Sequence, residues 1–233
     1  MERLVGYDDD LTGLYHKARY EFAKNYCKGK NVIDVACGSG EGTEILGTVA
    51  KNVRGIDPYI SLEDPEGLVT NGYIETLQAS SCDVIVCFET IEHTISIDLS
   101  VQMLASALTR GGMLVLSFPN RWGETEYHFH DTNKTILSTV ERCFIIDDVY
   151  GQNRKTCIDP ARIKAEDADK YENIIITAKK RVNISGELSY EERFSLIYFE
   201  CLRRQREKTR NIGFKFKVLP ARIRTKWKRT FGV

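Results

Sequence analysis

A chain of 233 residues, 42% of them hydrophobic, is long enough to bury one sizeable core and short enough to argue against several independent domains. Its 33 basic and 33 acidic residues cancel overall, yet residues 201–233 carry twelve Lys or Arg against the single acidic Glu207, which leaves the rest net acidic and points the tail at an anionic partner. Seven cysteines without CxxC or Cys/His zinc spacing, a charged start MERLVGYDDD and no apolar run near the roughly 20 residues that span a bilayer argue for a reducing, cytoplasmic setting, with any membrane contact peripheral.

The elements follow in chain order. Val32 to Ala36 is a β-branched run that stops at CGSGEG, and Ile45, Leu46 and Val49 begin a helical pattern: strand, glycine turn, helix. Val53 to Ile56 reads as a second strand, ended by Asp57-Pro58. Ser61 to Gln78 is weakly patterned, with a strand near Leu68 to Thr70. Cys82 to Phe88 is a buried strand; Ile97, Val101, Leu104 and Leu108 recur at helical spacing before a stop at Gly111-Gly112; Met113 to Phe118 is the next strand. Thr135 to Cys143 reads as helix, Phe144 to Val149 and Asn173 to Ala178 as the last strands, and Asp159 to Tyr171 as a polar excursion between them. Strands alternating with helices predict an α/β fold: a Rossmann-like, seven-stranded, mostly parallel sheet with helices on both faces. The domain is set at 1–180, and 181–233 is read as a C-terminal appendage, an amphipathic helix over Leu188 to Leu202 followed by a basic, aromatic tail.

In a parallel sheet, ligands bind at the carboxyl ends of the strands. Gly38, Gly40 and Gly42 follow the first strand, where the lack of Cβ lets backbone approach a ligand, an arrangement that serves a dinucleotide, a nucleotide phosphate or S-adenosylmethionine, or a plain tight turn. Asp34 sharpens the choice. A carboxylate beside the turn repels a pyrophosphate but suits an ammonium or sulfonium, while Asp57 at the second strand end can accept two ribose hydroxyls, and Thr43 occupies the third glycine position of the dinucleotide fingerprint. The charges favour S-adenosylmethionine.

YHKARYEFA (15–23), KGKNVIDVACGSGEG (28–42), VRGIDP (53–58), CDVIVCFETIEH (82–93), GGMLVLSFPN (111–120), YHFHD (127–131) and YGQN (150–153) together resemble the class I S-adenosylmethionine-dependent methyltransferases, in the type 11/23-like branch associated with bacterial surface-polysaccharide gene clusters. The resemblance covers residues 15–153 and implies that Asp34, Gly38 and Gly40 line the methionine part of the cofactor, Asp57 the ribose, Tyr73 and Ile74 the adenine, that Phe88 is a further cofactor-binding position, and that His16 and Arg19 close over the carboxylate end. Two departures stand out: the stretch between Asp57 and Asp83 is short for the fold, and Tyr73 stands where an acidic residue is common.

ETIEH, at the end of the Cys82–Phe88 strand, lies where this fold places the acceptor. If the chain turns helical after Phe88, Glu89, Glu92 and His93 share one face by i+3 and i+4 spacing, a set that suits Mg²⁺ or Mn²⁺. The ubiquinone-pathway and small-RNA 2′-O-methyltransferases carry a similar ExxEH that binds a divalent ion, and by that resemblance Glu89, Glu92 and His93, with His128 or His130 as a fourth group, form a metal site. Two alternatives stand beside it: His93 or His128 as a metal-free base, or structural roles throughout. The implied function is O-methylation of a sugar hydroxyl on a glycan or glycolipid precursor, ahead of RNA 2′-O-methylation and of a non-catalytic cofactor-binding subunit. The tail, with Lys215 to Arg229 interleaved with Phe214, Phe216, Trp227 and Phe231, suits anionic lipid at the inner membrane face, a nucleic-acid backbone or solvent.

Overall fold

The computed structural model describes residues 11–60, 67–94, 96–120 and 133–182. The elements run α1 (Leu11–Cys27), β1 (Asn31–Val35), α2 (Glu41–Gly47), β2 (Asn52–Asp57), β3 (Val69–Asn71), β4 (Cys82–Phe88), α3 (Ile97–Ala107), β5 (Leu108–Pro119), α4 (Asn133–Cys143), β6 (Phe144–Asn153), β7 (Cys157–Arg162) and β8 (Asn173–Lys180). The expected appendage from residue 183 on, including the Leu188–Leu202 helix, lies outside the described residues.

One mixed sheet of eight strands has the order β3-β2-β1-β4-β5-β8-β6-β7. β3, β2, β1, β4 and β5 are parallel; β8 runs antiparallel to β5 and β6, and β7 antiparallel to β6. The order reverses between β1 and β4, so the carboxyl ends of those two strands flank the crevice in which such sheets bind ligands.

Side-chain alternation explains why both faces are covered. Val32, Val84, Val86, Phe88, Val115 and Ile175 pack against Tyr20, Ala23 and Cys27 of α1 and Leu46 of α2. The alternate positions Ile33, Val35, Ile85, Cys87, Leu114 and Leu116 are buried too, on the side served by α3 and α4, which pack on each other. Helix α3 begins where Ser96 accepts a hydrogen bond from the Leu99 amide (3.4 Å), and it buries Ile97, Val101 and Leu104 as its periodicity predicts.

Three differences from the sequence expectation have physical reasons. The sheet has an eighth strand: β7 overlaps the start of the stretch read as a polar excursion, because an edge strand is held by pairing on one side and needs no apolar run, and Pro160 is tolerated there. β6 accordingly reaches Asn153. β5 starts at Leu108, directly after α3, and Gly111, at φ 74°, is absorbed within the strand rather than ending the helix.

Gly42 shows how closely α1 and α2 approach: a Cβ there would clash with the ring of Tyr20. Gly42→Ala is expected to destabilise the fold by about 1–3 kcal/mol through overpacking, measured by urea denaturation; an unchanged midpoint would show that Tyr20 yields freely.

Candidate active site

The glycine turn is the first part of the site. Ala36, Gly38 and Gly40 have φ of 57°, 61° and 103°, so the chain leaves β1 through three left-handed residues before α2. Gly40 caps α2 without a side chain, and a Cβ there would come within 2.7 Å of Val69. Glu41 and Glu44 in the first turn of α2 suit the positive end of its dipole. The Gly38 amide donates to Asp57 Oδ2 (3.1 Å) and the Tyr59 amide to Asp57 Oδ1 (2.9 Å), so Asp57 ties the turn to the end of β2. Gly72 donates its amide to the Asp57 carbonyl (3.2 Å), which brings Tyr73, 52% exposed, beside that end. Ile74 is buried behind it.

Asp34 takes a deeper place than an open ligand contact. It is fully buried beneath the turn, with Thr43 donating to Oδ2 (2.8 Å) and Tyr20 to Oδ1 (3.3 Å). Burial pushes its carboxyl up to about 7, against the pull of those two hydrogen bonds and with a further push from the charge of Asp57. Phe88 is likewise buried, edge-on to Tyr20 with ring centroids 5.0 Å apart.

The end of β4 differs from the helical expectation. Glu89 adopts φ 49°, and the chain enters a short 3₁₀ turn over Ile91–His93 instead of an α-helix, so the predicted single face of Glu89, Glu92 and His93 does not form. Each side chain has its own surroundings. Glu89 Oε1 meets Arg19 Nη1 at 2.6 Å and the Ser117 hydroxyl at 2.8 Å, and Oε2 accepts from Asn173 Nδ2 at 2.6 Å. Glu92 is 1% exposed, and burial, with the charge of Glu89, holds it well above the ordinary carboxylate range, favouring the protonated acid; its Oε2 has no hydrogen-bond partner among the described residues. His93, 25% exposed in its side chain, has Nε2 3.8 Å from Glu92 Oε1.

Arg19 is 1% exposed and is the centre of a buried network. It donates to Ser117 Oγ (3.0 Å), lies 4.8 Å from the Tyr15 ring centroid, and has Nη2 3.4 Å from each ring nitrogen of His16. Burial, reinforced by the charges of Arg19 and Arg154, lowers His16 to about 3, so the imidazole is neutral. The Tyr15 hydroxyl donates to Asn173 Oδ1 (2.8 Å) and lies 3.1 Å from the Gln152 carbonyl, while Gln152 Nε2 donates to the Tyr15 carbonyl (2.9 Å). Sequence reasoning assigned no role to Tyr15, Ser117, Gln152 or Asn173. The first three lie within the matched stretches YHKARYEFA, GGMLVLSFPN and YGQN, which was the available signal.

Among the described residues no group of three or more His, Cys, Asp or Glu side chains is placed to hold a metal ion. His128 and His130 lie outside the described residues.

Residues 7–142 match the methyltransferase-domain family. This chain belongs to that family. It falls in the class that takes its methyl group from S-adenosylmethionine. It is 29% identical over 114 residues to a probable S-adenosylmethionine-dependent methyltransferase of Mycolicibacterium smegmatis, covering 46% of this chain and 44% of that one. It is 32% identical over 130 residues to the ubiquinone biosynthesis O-methyltransferase of Cupriavidus pinatubonensis, covering 50% and 47%. The chain thus spans less than half the length of these two curated relatives. Among solved structures, an S-adenosylmethionine-dependent methyltransferase of Mesorhizobium loti superposes with a TM-score of 0.55 at 16% identity, over 73% of this chain and 100% of that one. The N-methyltransferase NodS of Bradyrhizobium japonicum, in complex with S-adenosylhomocysteine, gives 0.56 at 14%, over 74% and 89%. These likenesses establish the fold.

The methyltransferase turn fits its cofactor. Left-handed glycines let the backbone come close, Asp57 retains lone pairs beyond the two amide bonds it accepts, and the Tyr73 ring offers an exposed flat surface alongside.

Asp34 generates a prediction about pH. An unfolded aspartate loses its proton near 3.9, whereas folded Asp34 holds it to about 7. The folded chain therefore binds more protons between those values, and stability from this group is full below the lower one and declines as pH rises through the upper. Asp34→Asn lacks this decline, so urea denaturation across roughly pH 4 to 8 should show the variant gaining on wild type as pH rises. A constant difference would place the Asp34 pKa near its ordinary value.

Proposed function

We propose that this protein is an S-adenosylmethionine-dependent O-methyltransferase whose acceptor is a sugar hydroxyl on a glycan or glycolipid precursor. The observation that carries the reading is His93: a part-exposed imidazole at the end of β4, beside the crevice, where the neighbouring acids are already neutralised, Glu89 by Arg19 and Glu92 by burial. A hydroxyl is a weak nucleophile until its proton is taken, and an imidazole can take it near neutral pH. The likeness to ubiquinone O-methyltransferases supports oxygen as the acceptor atom, and the resemblance of the matched stretches to the surface-polysaccharide branch supports the sugar.

When bound, S-adenosylmethionine supplies the methyl electrophile. The turn at Gly38 and Gly40 would receive the methionine part, Asp57 the ribose hydroxyls and Tyr73 the adenine. His93 accepts the acceptor's hydroxyl proton as its oxygen attacks and returns it to solvent. Glu89 and Arg19, paired with each other, keep the rim of β4 electrically neutral while this happens.

The test uses the full chain. Calorimetry is expected to show S-adenosylhomocysteine binding, and methyl transfer from labelled cofactor is expected onto nucleotide-sugar or glycolipid acceptors and not onto RNA. Transfer to RNA alone, or to amines alone, would overturn the reading. His93→Ala should lower kcat by about 10²–10⁴-fold while leaving S-adenosylhomocysteine affinity unchanged. A variant that keeps full kcat would remove His93 from the chemistry.

A further inference from the structure

We propose that Arg19 does at this site what a divalent ion is expected to do for an ExxEH cluster: it neutralises Glu89 from within the fold, so that methyl transfer needs no metal there. The inference rests on the O-methyltransferase reading and deepens it.

The geometry is the argument. A carboxylate has about four lone-pair positions, and three of those of Glu89 are taken by donors on three different elements: Arg19 from α1, Ser117 from β5 and Asn173 from β8. A divalent ion bound at about 2.0–2.6 Å from Glu89 would sit against a guanidinium whose Nη1 is already 2.6 Å from Oε1. Two cations on that oxygen would repel each other strongly, so an ion there would compete directly with Arg19. Arg19 is poorly placed to leave. It is 1% exposed, and the helix that carries it is pinned one turn earlier by Tyr15, whose hydroxyl and carbonyl are both held by the β6 and β8 ends. The backbone agrees with this arrangement. The left-handed Glu89 and the 3₁₀ turn after it break the helical face on which the three side chains would have lined up, and Glu89 turns instead to Arg19, Ser117 and Asn173.

Arg19 is thus a positioning residue: it fixes the Glu89 carboxylate and, through it, the chain that carries His93. Ser117 Oγ strengthens the same point, since it lies within hydrogen-bond distance of Arg19 Nη1, the Glu89 carboxylate and the Glu89 amide (3.2 Å).

The experiment is a Mn²⁺ titration of the full, EDTA-treated chain with S-adenosylhomocysteine present, read by calorimetry and by the paramagnetic resonance of free Mn²⁺. The expected result is no Glu89-dependent binding up to about 1 mM, and methyl transfer that EDTA leaves unchanged. Arg19→Ala uncovers the carboxylate and is expected to bind one Mn²⁺ at least tenfold more tightly than wild type, a gain that Arg19→Ala with Glu89→Gln loses. A purely structural arginine would give no such gain. Saturable Mn²⁺ binding by wild type that Glu89→Gln abolishes would overturn the proposal, as would a folded Arg19→Ala that binds none. The wild-type titration stands without any variant, so failure of Arg19→Ala to fold does not remove the test. It needs no acceptor either: absence of turnover on every hydroxyl acceptor would sink the O-methyltransferase reading and leave the Mn²⁺ result intact.

Discussion

A buried guanidinium cannot stand alone, and much of the upper end of this sheet follows from that constraint. Arg19 and Glu89, 2.6 Å apart, have both lost solvation that their mutual attraction alone does not restore. Part of the deficit is met by Ser117, which bonds both groups, and by Asn173 on Glu89, while Tyr15 and Gln152 tie α1 to the strand ends; the buried Arg19 Nε has no hydrogen-bond partner among the described residues. Removing one partner would leave an uncompensated charge, a loss of about 3–5 kcal/mol. Such a pair contributes little net stability compared with apolar packing. What it sets is position, because Arg19 and Tyr15 tie α1 to the ends of β4, β5, β6 and β8.

The same end of the sheet shows three acids handled in three ways. Glu89 is matched by a fixed cation. Glu92, three residues on and fully enclosed, is held toward its protonated form by burial and the charge of Glu89. Asp34 sits between these limits, held by two hydroxyls and poised near neutrality. Adjacent carboxylates can coexist here because each differs in burial and donor supply, and only His93 is left with substantial exposure in the ETIEH stretch beyond Glu89 itself.

The fold was largely legible from local pattern. β-branched runs marked β1, β2, β4 and β5, the 3.6-residue period marked α3, and the glycines of CGSGEG located the turn, because each of these signals is decided by neighbours in the chain. The site was legible only in part. The motifs singled out Arg19, Asp57 and Glu89 but not the network around them: Tyr15 meets Asn173 across 158 positions and Gln152 across 137, and no local period encodes such a meeting. Spacing also misjudged Glu89: i+3 and i+4 counting assumes a helix, whereas a left-handed residue at 89 breaks that count at its first step. The burial of Asp34 was not legible, since sequence shows that an acid follows Ile33 and cannot show that Tyr20 and Thr43 close over it.

β8 runs against its neighbours, and this gives the order of synthesis a structural meaning. In the parallel strands the ligand end is the last part made; in β8 it is the first, so Asn173 arrives at the site at the start of the final described strand. A nascent chain that has emerged only to Asn120 already owns the glycine turn, Asp57, Arg19 and Glu89, yet Glu89 would be short of one donor and Tyr15 of its acceptor. The glycine turn and the Glu89 network are therefore unequal in time: the first can take shape early, and the second waits for a segment more than 80 residues downstream of the carboxylate it completes.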